Sequence, residues 1–299
     1  MITSRRVRGT HSTQCKNRNP HYQVPENHRK RLAFIRDLVD ASQSRDVTRS
    51  DEAMLSRHQG DRQKHFYRDR ANAINALHSV FSEHVNLVTF QVEISLRNAS
   101  DAAGLSTVSD AEQQRAKDDP THTPVVSISR ASRAFKDMVA LGWIRADKDW
   151  QVWDKEAGCW IDKYFEVTEL FFNACGITTE RVLRQQAMRM GYLKEQALKN
   201  GKTPEQVGRM SLTQIKADRK LQWRRNAFER RGKEHARKKA LRALHDKDRA
   251  DQRRVAQDRV LAALSPFEMQ TISQLQFKEL VNKEIAMLRK FAGISPPVH

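Results

Sequence analysis

One amphipathic helix near the middle of the chain constrains the fold more than any other feature. Apolar residues recur there every three or four positions, and this spacing predicts a helix with a single buried stripe. The stripe consists of Ile128, Ala131, Phe135, Met138 and Leu141, with Val139 as the alternative to Leu141. The opposite face carries Ser129, Arg130, Ser132, Arg133 and Lys136. A helix that exposes Arg, Lys and hydroxyl groups can enter the major groove of DNA, where Arg contacts guanine edges and Ser reaches bases or phosphates.

The segments around this helix follow the element order of a winged helix-turn-helix. Periodicity predicts a helix, a strand, a short helix, the amphipathic helix and a two-stranded hairpin, over residues 70–85, 88–94, 95–104, 128–142 and 143–167. The hairpin is then the wing, and its lysines would contact phosphates beside the groove: Lys148, Lys155 and Lys163. The polar stretch 106–124 is expected to be a loop of unusual length, either an insertion or a mobile element. An ordinary α+β domain whose arginines only solvate a helix remains the alternative.

The charge of the chain favours a polyanionic partner. Its 299 residues carry a formal net charge of +18, and nucleic acid is the leading candidate because neutralised phosphates release counterions. We see no long apolar run and no signal peptide, so we expect a cytoplasmic protein.

The three cysteines are Cys15, Cys159 and Cys175, with no CxxC pair, which argues against a disulfide framework or a zinc site. We expect Cys159 and Cys175 to be buried.

Composition and periodicity divide the chain into four predicted parts. These are a flexible basic arm, a short helix with a polar linker, a winged-helix DNA-binding domain and a basic helical C-terminal region, over residues 1–26, 27–66, 67–177 and 178–299. The predicted fold class is therefore mostly α with a small β component. It combines a winged helix-turn-helix domain with long basic C-terminal helices.

Local signals place the later helix ends. Thr168 is expected to cap a short helix that Gly176 ends, and a further helix is predicted over residues 179–199 with Met188 on its inner side. Capping boxes followed by proline begin new helices at Thr203 and Ser265. The last helix is expected to bury one apolar face: Met269, Ile272, Leu275, Leu280, Ile285 and Leu288.

The stretch 209–259 is the most basic part of the C-terminal region. It holds 18 Lys or Arg against 7 Asp or Glu, more than half of the surplus of the whole chain. Propensity favours a long helix, bent at Gly232, that follows phosphates; a charged surface helix or spacer is the alternative. The candidate contacts are Arg224, Arg225, Arg230, Arg231, Arg237, Lys238 and Lys239.

The sequence offers little for catalysis. It has no GxxxxGK[ST] loop, no GxGxxG turn and no HExxH pair, so nucleotide hydrolysis and dinucleotide redox chemistry lack their usual motifs. Asp147, Asp149 and Asp154 could bind magnesium for a nuclease, but a wing loop is a poor scaffold for such chemistry. We therefore expect a protein that is not an enzyme, with no metal and no cofactor.

Several segments together resemble the RepA replication-initiator family of IncFII-type plasmids. The resemblance is carried by the stretches 126–134, 141–144, 158–161 and 167–172, with 16–20 and 70–77 upstream. It spans most of residues 15–185, while the stretches 43–64 and 106–124 depart from the pattern.

The resemblance implies a plasmid replication initiator. Such a protein binds double-stranded origin DNA sequence-specifically, starts theta-type replication and influences copy number. Its implied partners are the host replication initiator and the replicative helicase, with no membrane. The resemblance places origin recognition on Arg130, Arg133 and Lys136. A winged-helix transcriptional repressor, a nuclease or primase, and a basic RNA-binding protein are the other classes that the residues leave open.

Overall fold

A computed structural model describes residues 16–59, 63–118, 124–147, 150, 153–155, 159–160, 164–244 and 247–292. The described part is mostly helical with short antiparallel strand pairs, which confirms the predicted class at that level. None of its helices is long and apolar enough to cross a membrane. The helices are α1 Ala33–Ser44, α2 Asp51–His58, α3 Arg68–His84, α4 Leu96–Ala102, α5 Asp110–Asp118, α6 Ser129–Ala140, α7 Glu169–Ala174, α8 Thr179–Lys199, α9 Pro204–Gly208, α10 Leu212–Leu244, α11 Arg249–Ala263, α12 Pro266–Thr271 and α13 Gln274–Ala292.

The strands are short and pair antiparallel. They are β1 Thr107–Val108, β2 Val126–Ser127, β3 Ile144–Arg145, β4 Trp153–Asp154, β5 Cys159–Trp160 and β6 Glu166–Val167. β1 pairs with β2, β3 with β6, and β4 with β5. The chain forms two compact units: a first unit of Met1–Val152 and Asp162–Gln222, and a second unit of Trp153–Ile161 and Trp223–His299.

The core of the first unit is rich in aromatic residues. α3 packs against both α1 and α6. The largest fully buried side chains include Trp143, Phe81, Phe165, Phe171 and Phe172. Cys175 is buried as predicted, and burial raises the pKa of its thiol to about 11. One continuous core therefore extends across residue 67, where the sequence placed a domain boundary.

Two stretches predicted to be polar or flexible contribute to this core. In the predicted arm, Pro20 and Tyr22 are buried, and the Tyr22 carbonyl oxygen accepts a hydrogen bond from Gln43 Nε2 at 2.9 Å. In the predicted linker, Val47 and Ala53 are buried. The prediction of a flexible arm was therefore wrong for residues 16–25, because buried side chains and hydrogen bonds to distant parts of the chain hold this polar stretch in place.

The predicted strand 88–94 is instead a tight turn. Phe90 has a φ of +60°, and the chain around it forms isolated bridges, Val85 to Val92 and Gln91 to Glu166. Thr89 and Gln91, expected to face solvent, are buried. The alternation was misleading because a polar side chain can also be buried; the Thr89 hydroxyl accepts a hydrogen bond from the Gln91 backbone nitrogen at 3.3 Å.

The stretch 106–124, predicted as a loop that is an insertion or a mobile element, contains regular secondary structure in its described residues. β1, α5 and β2 form an ordered insertion in which Thr107 pairs with Ser127 and Val108 with Val126.

The following hairpin begins as predicted after Gly142, whose φ is +73°. Thr168 occupies the predicted N-cap position of α7, but its hydroxyl makes no capping hydrogen bond. The hydroxyl donates instead to the Gly142 carbonyl oxygen at 2.6 Å, which joins the two ends of the hairpin.

The C-terminal helices follow the predicted start signals, but some of their predicted faces were wrong. Both capping boxes form, at Thr203 and Ser265. The basic helix continues through Gly232 to Leu244. The predicted last helix is divided into α12 and α13. A small core in the second unit consists of Ala240, Leu244, Ala256, Val260, Val281 and Leu288. Met188, Met269 and Leu275, predicted to face inward, are exposed.

Candidate nucleic-acid interface

α6 has the two faces that its sequence predicts. Ala131, Phe135 and Met138 are buried in the core of the first unit, while Ile128 is half-buried just before the helix. On the other side Ser129, Arg133 and Lys136 are exposed, and Ser132 is half-buried. α6 also packs against α3, and Arg70 Nε of α3 lies 3.1 Å from a carboxylate oxygen of Asp137 near the end of α6. The exposed face therefore belongs to a helix that is packed on the core and joined to α3 by an ion pair.

Arg130 differs from its two basic neighbours on the helix. Its Nη1 donates to the Asn17 carbonyl oxygen at 2.6 Å, and its Nη2 lies 3.5 Å from the Asp69 carbonyl oxygen. The side chain is half-buried between α6 and the backbone of residues far away in the sequence. Arg130 thus holds the start of α6 in place, and only Arg133 and Lys136 of the predicted basic trio point freely to solvent.

The segment that receives Arg130, residues 16–18, links three parts of the fold; we call it the strap. Asn17 Nδ2 donates to the Gly104 carbonyl oxygen at 2.9 Å, after α4. Lys16 Nζ donates to Asp110 and to the Val108 carbonyl oxygen, each at 2.6 Å. Asn72 Nδ2 of α3 donates to the Arg18 carbonyl oxygen at 2.9 Å. The sequence did not reveal the strap, because each partner lies more than 50 residues away.

A cluster of cations and rings lies at the base of the β3–β6 pair. Trp150 packs edge-on against Tyr164 at 5.1 Å between ring centroids, and the Lys220 ammonium lies 4.4 Å from the Trp150 ring centroid. The Tyr164 hydroxyl donates to Glu166 at 2.8 Å, and Lys216 Nζ contacts the other Glu166 oxygen at 3.0 Å. Burial and the nearby Glu166 carboxylate raise the pKa of Tyr164. The start of α10 is therefore fixed to the hairpin.

The predicted wing contacts are only partly visible. Lys155 is exposed in the turn after β4, and it belongs to the second unit. Lys148, Lys163, Asp149 and Gly158 lie outside the described residues. Asp147 accepts a hydrogen bond from Arg145 Nε at 3.1 Å, which makes it an ion-pair partner within the hairpin. In the described part of the chain, no three His, Cys, Asp or Glu side chains are grouped so that they could hold a metal ion.

The basic residues predicted on α10 have different surroundings. Arg225, Arg237 and Lys239 are exposed, whereas Arg224 and Arg231 are half-buried. Arg230 lies over the Trp223 ring, 5.3 Å from its centroid, and Lys238 pairs with Glu234 at 2.8 Å. The helix therefore exposes positive charge, but several of these cations also make contacts within the second unit.

Arg97 is an exposed cation that sequence reasoning missed. It lies in the first turn of α4, the helix that precedes α6 across the β1–α5–β2 insertion, and it is exposed. In helix-turn-helix proteins the helix before the recognition helix crosses the DNA backbone, so its exposed basic residues contact phosphates. The element order was the signal that could have identified Arg97.

Comparison with known proteins places the chain among replication proteins. It is 27% identical over 296 residues to the probable replication-associated protein repA1 of Buchnera aphidicola subsp. Schizaphis graminum, covering 92% of this chain and 94% of the relative. The repA1 protein of Buchnera aphidicola subsp. Acyrthosiphon pisum is 26% identical, covering 94% and 96%. No solved structure matches the chain significantly. Residues 10–293 match the model of the IncFII RepA protein family, and the chain belongs to that family.

Proposed function

We propose that this protein is a plasmid replication initiator that binds origin DNA sequence-specifically through α6. The observation that carries the proposal is the exposed face of α6, where Arg133 and Lys136 lie opposite the buried residues Ala131, Phe135 and Met138. Such a face suits the major groove, because Arg donates two parallel hydrogen bonds to the O6 and N7 atoms of guanine. The net charge of +18 supplies the sequence-independent attraction to phosphates.

The proposed DNA-reading domain is a winged helix-turn-helix. Its three helices are α3, α4 and α6, and its wing is the hairpin that begins with β3 and ends with β6. The turn after α3 lies beside this hairpin. The Val92 backbone nitrogen donates to the Phe165 carbonyl oxygen at 3.2 Å, and the Val167 backbone nitrogen donates to the Phe90 carbonyl oxygen at 2.8 Å. The β1–α5–β2 insertion lengthens the connection between α4 and α6 without changing this order.

Family membership extends the proposal beyond binding. We propose that the protein acts by binding and distorting the origin, without catalysis, and that theta-type replication, copy-number control and contacts with the host initiator and replicative helicase follow. The relatives named as replication-associated proteins support this role. In this proposal the exposed cations of α10 and Arg97 of α4 contact phosphates, which fix position and orientation without reading sequence.

Footprinting of the full chain on the DNA that flanks its own gene tests the proposal. We expect protection of one segment, resistant to competing RNA and to duplexes of scrambled sequence. Replication of a plasmid that carries only this segment, with the protein supplied in trans, then separates an initiator from a repressor. Equal competition by RNA would contradict DNA reading, protection without replication would indicate a repressor, and magnesium-dependent nicking of the segment would contradict the absence of catalysis.

A further inference from the structure

One face of α8 is exposed along the whole length of the helix. Buried Val182 and Ala197 lie on the side of α8 that packs against the rest of the first unit. The opposite side, which we call the α8 face, is solvent-exposed at every position: Glu180, Leu183, Arg184, Ala187, Met188, Gly191, Tyr192, Glu195, Leu198 and Lys199. These residues recur every three or four positions over five turns, so they form one continuous stripe.

The centre of the α8 face is apolar and contains a gap. Met188 is 63% exposed and Tyr192 46% exposed, and the Arg189 guanidinium lies over the Tyr192 ring at 4.5 Å from its centroid. Between them, a Cβ added to Gly191 would meet no atom within 4 Å. A large side chain beside an open glycine is a shape that a neighbouring helix can fill, because glycine lets the two backbones approach closely.

The charges of the α8 face are arranged around the same centre. Glu180 and Lys199 lie equally far from the midpoint between Arg189 and Met190, and so do Arg184 and Glu195, and Met188 and Gly191. Two copies of α8 that cross antiparallel at this midpoint place Glu180 beside Lys199 of the other copy, Arg184 beside Glu195, and Met188 over Gly191. Each contact occurs twice, as an isologous two-fold interface requires.

We propose that the α8 face binds a second copy of this chain in an antiparallel, two-fold dimer. The charge pattern selects both the partner and the direction, because a parallel pair would place Glu180 against Glu180 and Arg184 against Arg184. Arg184 Nη2 already contacts Glu180 Oε1 at 2.9 Å within one helix, so in the dimer it lies between two carboxylates. In the described part of the chain, Glu195 and Lys199 have no ion-pair partner, so both remain available for the other copy.

The interface of one helix pair is small, and the dimer is accordingly weak. Specific interfaces bury about 1,200–2,000 Å² in total, and an interface made of one helix from each copy lies at the low end of this range. We therefore expect a dissociation constant in the micromolar range. This dimer is independent of the proposed DNA contacts, because α8 follows α7 and contributes no residue to the exposed face of α6. Its test needs no DNA, so the dimer and the DNA-binding proposal can fail separately.

Sedimentation velocity of the full chain over a range of concentrations tests the proposal with a charge reversal. Arg184→Glu and Glu195→Arg each place like charges together at two points in the dimer, so each should weaken association about tenfold or more. The double variant Arg184→Glu with Glu195→Arg restores both pairs and should recover association. Lys117→Glu on α5 makes the same change in net charge as Arg184→Glu, but away from the α8 face, and should leave association unchanged.

Circular dichroism of each variant checks that the helices are intact. Met188→Asp, which places a carboxylate over Gly191 of the other copy, should also abolish the dimer. A wild-type chain that stays monomeric at the highest measurable concentration would overturn the proposal. So would a dimer that both single reversals leave unchanged, or a double variant that associates no better than either single one.

Discussion

Arg130 of α6 donates a hydrogen bond to the backbone carbonyl oxygen of Asn17, 113 residues away, at 2.6 Å. The Asn17 side chain in turn contacts the Gly104 carbonyl oxygen after α4. The pair therefore joins the strap, the helix before the insertion and the start of the proposed recognition helix. A residue that the sequence marks as a base-reading arginine has a structural partner in the free protein.

We predict that Arg130 and Arg133 contribute to different properties. Arg130→Ala removes a charge-assisted hydrogen bond and should lower the free energy of unfolding by about 1–2 kcal/mol. Arg133→Ala, on the same helix but exposed, should change it by less than about 0.5 kcal/mol. Urea unfolding followed by circular dichroism measures both, and equal losses in the two variants would contradict the structural role of Arg130.

The helices of this protein could be predicted because their signals are local. The stripe of α6 and the capping boxes at Thr203 and Ser265 lie within a few residues of the elements they define. The same is true of the element order from which the candidate site was inferred. Periodicity alone therefore located the exposed positions of Arg133 and Lys136.

The strap and the turn at Phe90 could not be predicted in the same way. The contacts of Asn17 depend on Gly104 and Arg130, which only the folded chain brings near it. Around Phe90, apolar and polar residues alternate as in a half-buried strand, but Thr89 and Gln91 are buried as well, and the Thr89 hydroxyl accepts a hydrogen bond inside the protein. The alternation of apolar and polar residues indicates only the polarity of each side chain. It does not indicate whether a polar side chain forms a hydrogen bond inside the protein.

We predict that Arg133 and Lys136 determine which DNA sequence is bound. Arg133→Ala should cost about 1–3 kcal/mol of binding free energy on the specific site and much less on scrambled DNA, because a bidentate contact to guanine is lost. Arg97→Ala on α4 is the matched control, since loss of a phosphate contact weakens binding to both sequences alike. Fluorescence anisotropy with both duplexes measures the ratio, and an unchanged ratio for Arg133→Ala would show that α6 does not read bases.

The exposed cations of α10 should add affinity without specificity. Arg237→Gln together with Lys239→Gln removes two exposed positive charges from one stretch of the helix. If both contact phosphates, the slope of log K against log salt should fall by about 2, with equal loss on specific and scrambled duplexes. Lys117→Glu on α5, which lowers the net charge by the same two units, serves as the control for net charge. A slope that stays the same after the double substitution would remove this part of α10 from the DNA interface.

His78 should make the first unit sensitive to mild acid. The side chain is fully buried and stacks on Phe171 at 3.9 Å between ring centroids. Its Nε2 donates to the Phe171 carbonyl oxygen at 3.0 Å, so Nδ1 carries no proton and accepts from the Ser42 hydroxyl at 2.7 Å. Burial lowers the pKa of His78 from 6.5 to about 4, because a charged imidazolium would lose its hydration there.

The sign of the pH effect follows from this shift. Between pH 6.5 and pH 4 the unfolded chain binds a proton at His78 that the folded chain does not, so the folded state loses stability as the pH falls through this window. The loss from this group amounts to about 2 kcal/mol between pH 7 and pH 5. The glutamine in His78→Gln does not titrate. From pH 7 to pH 5, the free energy of unfolding of this variant should therefore fall by about 2 kcal/mol less than that of the wild-type chain, even if the variant is less stable at pH 7. Urea unfolding at both pH values measures the difference, and an equal fall in the two chains would mean that His78 is not held neutral in the folded protein.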